Sequence, residues 1–290
     1  MSITYRGMNV SDPDVTTQEE LDAFLAFKDQ PTGRPLASYE LWSELRPDVL
    51  KRLLNFVHFI HDSESWSCPL PYLNTYAVGG WPEGVRYIAR ICQPSTFLTG
   101  PGYSRDAVLE TLAFSFYLAP TWGTVQTADA VRETLASYRE PAPDAPSPFP
   151  DGWEIAPDEL KAGLDYSTPE LTDADMTALT DWYMRVCGEV PATIQLYARY
   201  RPQLLKAERN RWENIVKRGL PNQMLAYLHI HYEVWRGNVA GTRDALRLAR
   251  GLGMSKQHAV DAIFYGGSFL GGPATIAAVA EPINEVLETW

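Results

Sequence analysis

From Thr17 to the C-terminus, apolar positions recur at three- and four-residue steps, and no stretch alternates as a strand would, so the chain reads as a succession of helices. Thr17 and Glu20 form a capping box that opens a short helix, QEELDAFLAFK, which Pro31 and Pro35 break. Leu41, Trp42, Leu45, Val49, Leu53 and Val57 make a rough apolar stripe over 38–61, with a junction at Arg46-Pro47 where proline starts a new helix. After the break SWSCPLP, helices are predicted over 72–78 and 83–91 around Gly79-Gly80, then over 104–118 and 125–138. Thr172 and Asp175 start another that runs through Trp182 to Gly188, followed by helices at 193–200, 202–217, 221–235, 238–250, 256–267 and 274–288. Residues 1–15 read as irregular. The prolines at 141, 143, 146, 148 and 150 cannot continue a helix and predict an extended linker. The fold class is all-α.

The pattern also repeats. Ser38–Trp42 with Arg46-Pro47 and Lys51 matches Thr193–Tyr197 with Arg201-Pro202 and Lys206 at an offset of 155 (201 − 46). Leu70-Pro71 matches Leu220-Pro221. Trp81, Gly84 and Val85 lie near Trp235, Asn238 and Val239 at an offset of 154, and Gly102-x-Ser104-Arg105 matches Gly253-x-Ser255-Lys256 at 151. RPxxLK, LP, W and GxS[KR] in one order imply a duplication. The organisation expected is an N-terminal extension with a short helix (1–37), a first helical repeat (38–138), a proline-rich linker (139–160) and a second helical repeat (161–290).

Composition narrows the function classes. With 290 residues, 45% of them hydrophobic, the chain can bury a large core. A formal charge of −11 argues against nucleic acid or an anionic membrane surface as partner. No stretch approaches 18 consecutive apolar residues, and the N-terminus lacks an apolar signal core. Cys68, Cys92 and Cys187 form no CxxC and fit buried free thiols in a reducing cytoplasm.

The second half, RPQLLK…LP…VWRGNVAGTRDALRLARGLGMSKQ…YGGSFLGGPATIAAV, resembles the carboxymuconolactone decarboxylase and alkylhydroperoxidase D-like superfamily over about 193–288, and 38–138 resembles it more weakly. The resemblance implies two tandem alkylhydroperoxidase D-like helical units and a homo-oligomer, trimer or dimer. It also implies a small-molecule substrate and no cofactor or metal. The family's redox residues are missing. Its two cysteine positions fall on Asn238 and Gly241, its glutamate on Ala226 and its histidine on Ala245, with Gly84, Tyr87, Tyr72 and Ile91 in the first half. Thiol peroxidase activity therefore has no nucleophile. The decarboxylase histidine is missing as well.

What remains for chemistry lies on 221–235. His229 and Glu233 share a face at i,i+4 and make either an acid/base pair, with Glu233 orienting the imidazole, or a satisfied core pair. Tyr72 reads as a hydrogen-bond donor into a shared pocket or as a core residue, and Tyr232 as a donor at the pocket edge. His231 reads as a surface or interface residue. Asn238 either caps the next helix or binds substrate. Tyr76, Trp81, Trp235 and Arg243 are candidate substrate contacts, and core or solvated positions otherwise. His58-x-x-His61, with Asp62 and Glu64, has metal-type spacing but no complete ligand set. The activity that the family resemblance implies is cofactor-independent lyase, decarboxylase or hydrolase chemistry on a small organic acid, lactone or aromatic-derived metabolite. A non-catalytic binding or assembly protein and a His-liganded metalloenzyme stand as alternatives.

Overall fold

A computed structural model describes residues 3–12, 14–29, 36–60, 68–94 and 102–290, which form two compact units, 1–67 and 68–290. The proline-rich stretch 139–152 thus lies inside the second unit. Apart from one two-residue strand pair, the regular structure of the described residues is helical.

In the first unit, the segment expected to be irregular contains a two-residue antiparallel pair, β1 (Thr4–Tyr5) with β2 (Met8–Asn9). Arg6 and Gly7 both take positive φ, the backbone that a tight hairpin turn requires, and each strand is too short to show alternation in sequence. Three helices follow, α1 (Gln18–Asp29), α2 (Ala37–Leu45) and α3 (Pro47–Ile60). Met8, Val10, Leu21, Phe24, Leu50 and Leu54 form the core. The Thr17–Glu20 capping box is made, with Glu20 also accepting from Lys51 Nζ at 3.1 Å. The buried Lys51 donates as well to the Val15 carbonyl.

The second unit begins with α4 (Leu70–Gly79), α5 (Pro82–Ile91), α6 (Arg105–Leu118) and α7 (Trp122–Ala136). After a 3₁₀ turn at Pro157–Leu160 come α8 (Asp173–Cys187), α9 (Ala192–Tyr200), α10 (Pro202–Glu213), α11 (Asn222–Trp235), α12 (Val239–Gly251), α13 (Lys256–Phe264) and α14 (Pro273–Glu288). The helix expected over 202–217 stops at Glu213. The one expected over 256–267 is α-helical to Phe264 and π-helical over Tyr265–Gly271. Gly266 explains why glycine belongs there: a Cβ would stand 2.5 Å from the His231 carbonyl oxygen.

α11 is apolar around most of its circumference and therefore sits centrally, against α4, α6, α12, α13 and α14. A single carboxylate fixes its start. Glu110 on α6 accepts from the backbone N–H groups of Lys217, Arg218, Gly219 and Leu220 at 2.8–3.0 Å, holding the turn that precedes the helix.

Internal geometry recurs along the chain. Thr172 and Asp175 make a capping box, and the buried Lys206 donates to Asp175 at 2.9 Å and to the Glu170 carbonyl at 2.6 Å. Glu170, Thr172, Asp175 and Lys206 each lie 155 residues after Val15, Thr17, Glu20 and Lys51. The correspondence thus begins upstream of residue 38, where the sequence motifs start. Within the second unit α4 packs on α5, α6 and α7 as α11 packs on α12, α13 and α14. The register of the helical hairpins is 157, not 154. Gly80 and Gly237 both have positive φ, Trp81 and Asn238 are the N-cap residues, and Gly84 and Gly241 are the glycines pressed against the preceding helix. Tyr76 therefore occupies the place of Glu233, and Tyr72 that of His229.

Candidate functional site

One face of α11 carries His229 and Glu233, and the turn into α12 is built around the second of them. Arg236 and Gly237 reverse the chain, and Asn238 caps α12, its Oδ1 accepting from Gly241 N at 3.1 Å. The Asn238 amide donates back to Glu233 Oε2 at 2.7 Å. Glu233 Oε1 faces His229 Nε2 at 3.4 Å. Gly241 makes this approach possible, since a Cβ there would stand 2.3 Å from Glu233 Oε2. The carboxylate thus rests on the first turn of α12, whose N-terminal end favours negative charge. Burial pushes the Glu233 carboxyl up, but the bonds from His229 and Asn238 outweigh it and hold the group below its ordinary value. The His229 ring sits edge-on to Phe114, 5.8 Å between centroids, and its Nδ1 is buried with no protein hydrogen-bond partner.

This pair lines a cavity of about 360 Å³. Its walls are aromatic and come from elements far apart in sequence: Tyr117 at the end of α6, Trp182 and Tyr183 on α8, Tyr197 on α9 and Trp212 on α10. An adjoining, more polar depression of about 540 Å³ shares His229, Glu233 and Asn238 and adds Tyr232, Arg211 and Arg236. One wall is rigid. Arg209, 3% exposed, lies against the Trp182 and Trp212 rings at 4.0 and 4.5 Å, pairs with Glu213 at 2.7 Å and donates to the Leu160 carbonyl at 2.6 Å. Glu213 completes its own bonds with Ala162 N and the Tyr166 hydroxyl. Such a satisfied buried pair is a structural prop. Cys187 also lines the cavity, but burial, with the nearby Asp244 charge, pushes its thiol up to about 12, far from a nucleophile's range.

Of the candidate residues read from sequence, His229, Glu233, Asn238 and Tyr232 meet around the cavity and its outer depression. The others lie elsewhere. Tyr72 is buried against His231, Tyr265 and Phe269, with ring centroids 5.4–6.0 Å apart. Tyr76 packs on Trp81 at 5.4 Å and on Gly84, and Trp81 is half exposed. Trp235 lies beside Tyr232 at 6.0 Å. Arg243 pairs with Glu285 at 2.8 Å. His231, expected at a surface or interface, is fully buried where α11 meets α4. Its Nδ1 lies 3.3 Å from Thr75 Oγ1, and burial lowers its pKa to about 3, so it is neutral. His58 packs edge-on to Tyr5 and Phe59 in the first unit, while His61, Asp62 and Glu64 lie outside the described residues. Among the described residues no group of three or more His, Cys, Asp or Glu side chains has metal-binding geometry, and no helix is long and apolar enough to cross a membrane.

The residues that sequence reasoning passed over are those of the aromatic wall and Asp244, on the α12 face that continues from Gly241 into the cavity. Trp182, Tyr197 and Trp212 carry no local sign that separates a cavity wall from a core. Comparison with protein-family models, with curated proteins and with solved structures found no match for this chain.

Proposed function

We propose that the chain binds a small molecule in the aromatic-walled cavity and acts on it by proton transfer through the His229–Glu233 pair. The observation that carries this reading is the arrangement of Asn238 and Gly241, which hold a carboxylate against a histidine at the edge of a space large enough for a ligand. Glu233 fixes the imidazole, His229 gives or takes the proton, and Asn238 and Tyr232 donate hydrogen bonds. In this reading the chain is a tandem of alkylhydroperoxidase D-like units without thiol chemistry. It works as a homo-oligomer, without a cofactor, as a lyase, decarboxylase or hydrolase on a metabolite of ring size. The resemblance in sequence and the recurring hairpin geometry support that assignment.

A second reading, a binding protein without turnover, draws on one observation: Nδ1 of His229 is buried and Nε2 faces Glu233, so neither ring nitrogen is openly presented. The deciding experiment screens lactones, aromatic acids and aromatic amines for binding and turnover in the wild type and in His229→Ala. Turnover reduced about 10²-fold or more in His229→Ala, the range general acid–base catalysis supplies, supports the enzyme. Turnover unchanged by the substitution overturns it, and tight binding with no turnover in the wild type selects the binding protein.

A further inference from the structure

The charges that line the inner cavity are unequal in one respect. Its arginine, Arg209, is spent on Glu213, the Leu160 carbonyl and two indole faces. Glu208 is held through both oxygens by Arg211, at 2.9 and 3.0 Å. Glu233 carries His229 and Asn238. Asp244 differs. It follows Gly241 by three residues on the same face of α12, lines the cavity, and makes no hydrogen bond or ion pair among the described residues. Burial pushes its carboxyl above the ordinary aspartate value and outweighs the opposing pull of His229 and Arg243, which pair with Glu233 and Glu285 instead. Arg236, beside the Tyr232 ring at 5.9 Å, belongs to the outer depression. A carboxylate ligand entering the inner cavity would therefore meet Glu233 and Asp244 with no uncommitted cation opposite them. A protonated amine would supply the bonded partner that Asp244 lacks, and the Tyr197 ring in the same lining suits both an ammonium group and a ring.

We infer that the occupant of this cavity is a compact aromatic amine in its protonated form, anchored by Asp244, with its ring against the tyrosine and tryptophan wall. The inference rests on the small-molecule reading above and names its substrate class. Of the substrates expected from the sequence it sets aside the organic acid: the ligand's charge is positive and the protein's is negative.

Calorimetric titration of the full chain with three probes of nearly one shape tests it: phenethylamine, 2-phenylethanol and 3-phenylpropionate. The wild type is expected to bind the amine at least about tenfold more tightly than the alcohol, with the acid weakest. Asp244→Asn, which keeps the side-chain shape, is expected to erase the preference of amine over alcohol, while Arg250→Gln, whose side chain bonds to Thr289 away from the cavity, preserves it. The wild-type preference is a separate readout that stands even if Asp244→Asn fails to fold. Equal binding of amine and alcohol, tightest binding of the acid, or an amine preference that survives Asp244→Asn overturns the amine inference and leaves the small-molecule reading in place. Failure of all three probes to bind the wild type overturns the inference, and a parallel failure of the wider lactone and acid screen removes the small-molecule reading with it.

Discussion

The hairpin of α4 and α5 and the hairpin of α11 and α12 turn on the same backbone device. A glycine of positive φ ends the first helix, Gly80 in one and Gly237 in the other. A second glycine, Gly84 or Gly241, lets the next helix lie against a side chain of the first. In the earlier hairpin that side chain is Tyr76, packed on Trp81. In the later one it is Glu233, bound by Asn238 and His229. The same close approach serves hydrophobic packing in one place and holds a charged, hydrogen-bonded pair in the other. Backbone geometry is thus permissive. The polar residues make a site at α11–α12 because α8, α9 and α10 surround a cavity beside them.

The comparison extends upstream, where it gives the largest expected effect. Lys51 and Lys206 are both buried and each holds a carboxylate, but Glu20 retains 17% side-chain exposure against 4% for Asp175. Lys206→Met leaves a carboxylate with little access to water and is expected to cost about 3–5 kcal/mol, as removal of one partner of a buried pair does, with Lys51→Met costing less. Urea unfolding midpoints check the order. Equal losses would show that the two lysines are energetically interchangeable despite the difference in burial.

The next effect separates the hairpins functionally. Alanine at Gly241 puts a methyl 2.3 Å from Glu233 Oε2, and alanine at Gly84 puts one 2.7 Å from the Tyr76 ring. Each is an overpacking expected to cost about 1–3 kcal/mol. Only Gly241→Ala displaces the carboxylate, so it should weaken or abolish cavity binding while Gly84→Ala leaves binding intact. Loss of binding in both variants would mean that the glycines act through global stability alone.

The smallest effect is a matter of sign. Glu233 has a folded pKa below its unfolded value, so its contribution to stability is present above the ordinary glutamate value and fades as pH falls through the lower folded one. Asp244 is the reverse. Its folded pKa is raised, so it costs nothing below the unfolded aspartate value and lowers stability as pH rises through the folded one. At neutral pH Glu233→Gln should therefore lower the melting temperature and Asp244→Asn should raise it slightly, with both differences shrinking in acid. Thermal melts at pH 7 and pH 3.5 read this directly. A stabilising Glu233→Gln would show that the pair is strained, not supportive.

Much of the fold was legible in the sequence because its causes are local. Capping boxes at Thr17 and Thr172, prolines at the first turns of α3 and α10, and three- and four-residue apolar spacing specify helices within a few residues of where they form. The Asn238 cap and the i,i+4 relation of His229 and Glu233 were readable for the same reason. The hairpin of β1 and β2 was missed because two-residue strands have no period to detect. The π segment was missed because it depends on α11 pressing against Gly266.

The sequence alone therefore determined the all-α fold class and a helix bearing His229 and Glu233 on one face. Tertiary structure decided the rest. It buried His231, drew Tyr72, Tyr76 and Arg243 into other contacts, and set Asp244 in a cavity walled by Tyr117, Trp182, Tyr197 and Trp212. The reason is one of range. The helical signals read above act between residues a few positions apart, whereas the aromatic cavity wall is assembled from side chains spread over 95 positions (212 − 117), and nothing in their local sequence distinguishes facing a void from facing a core.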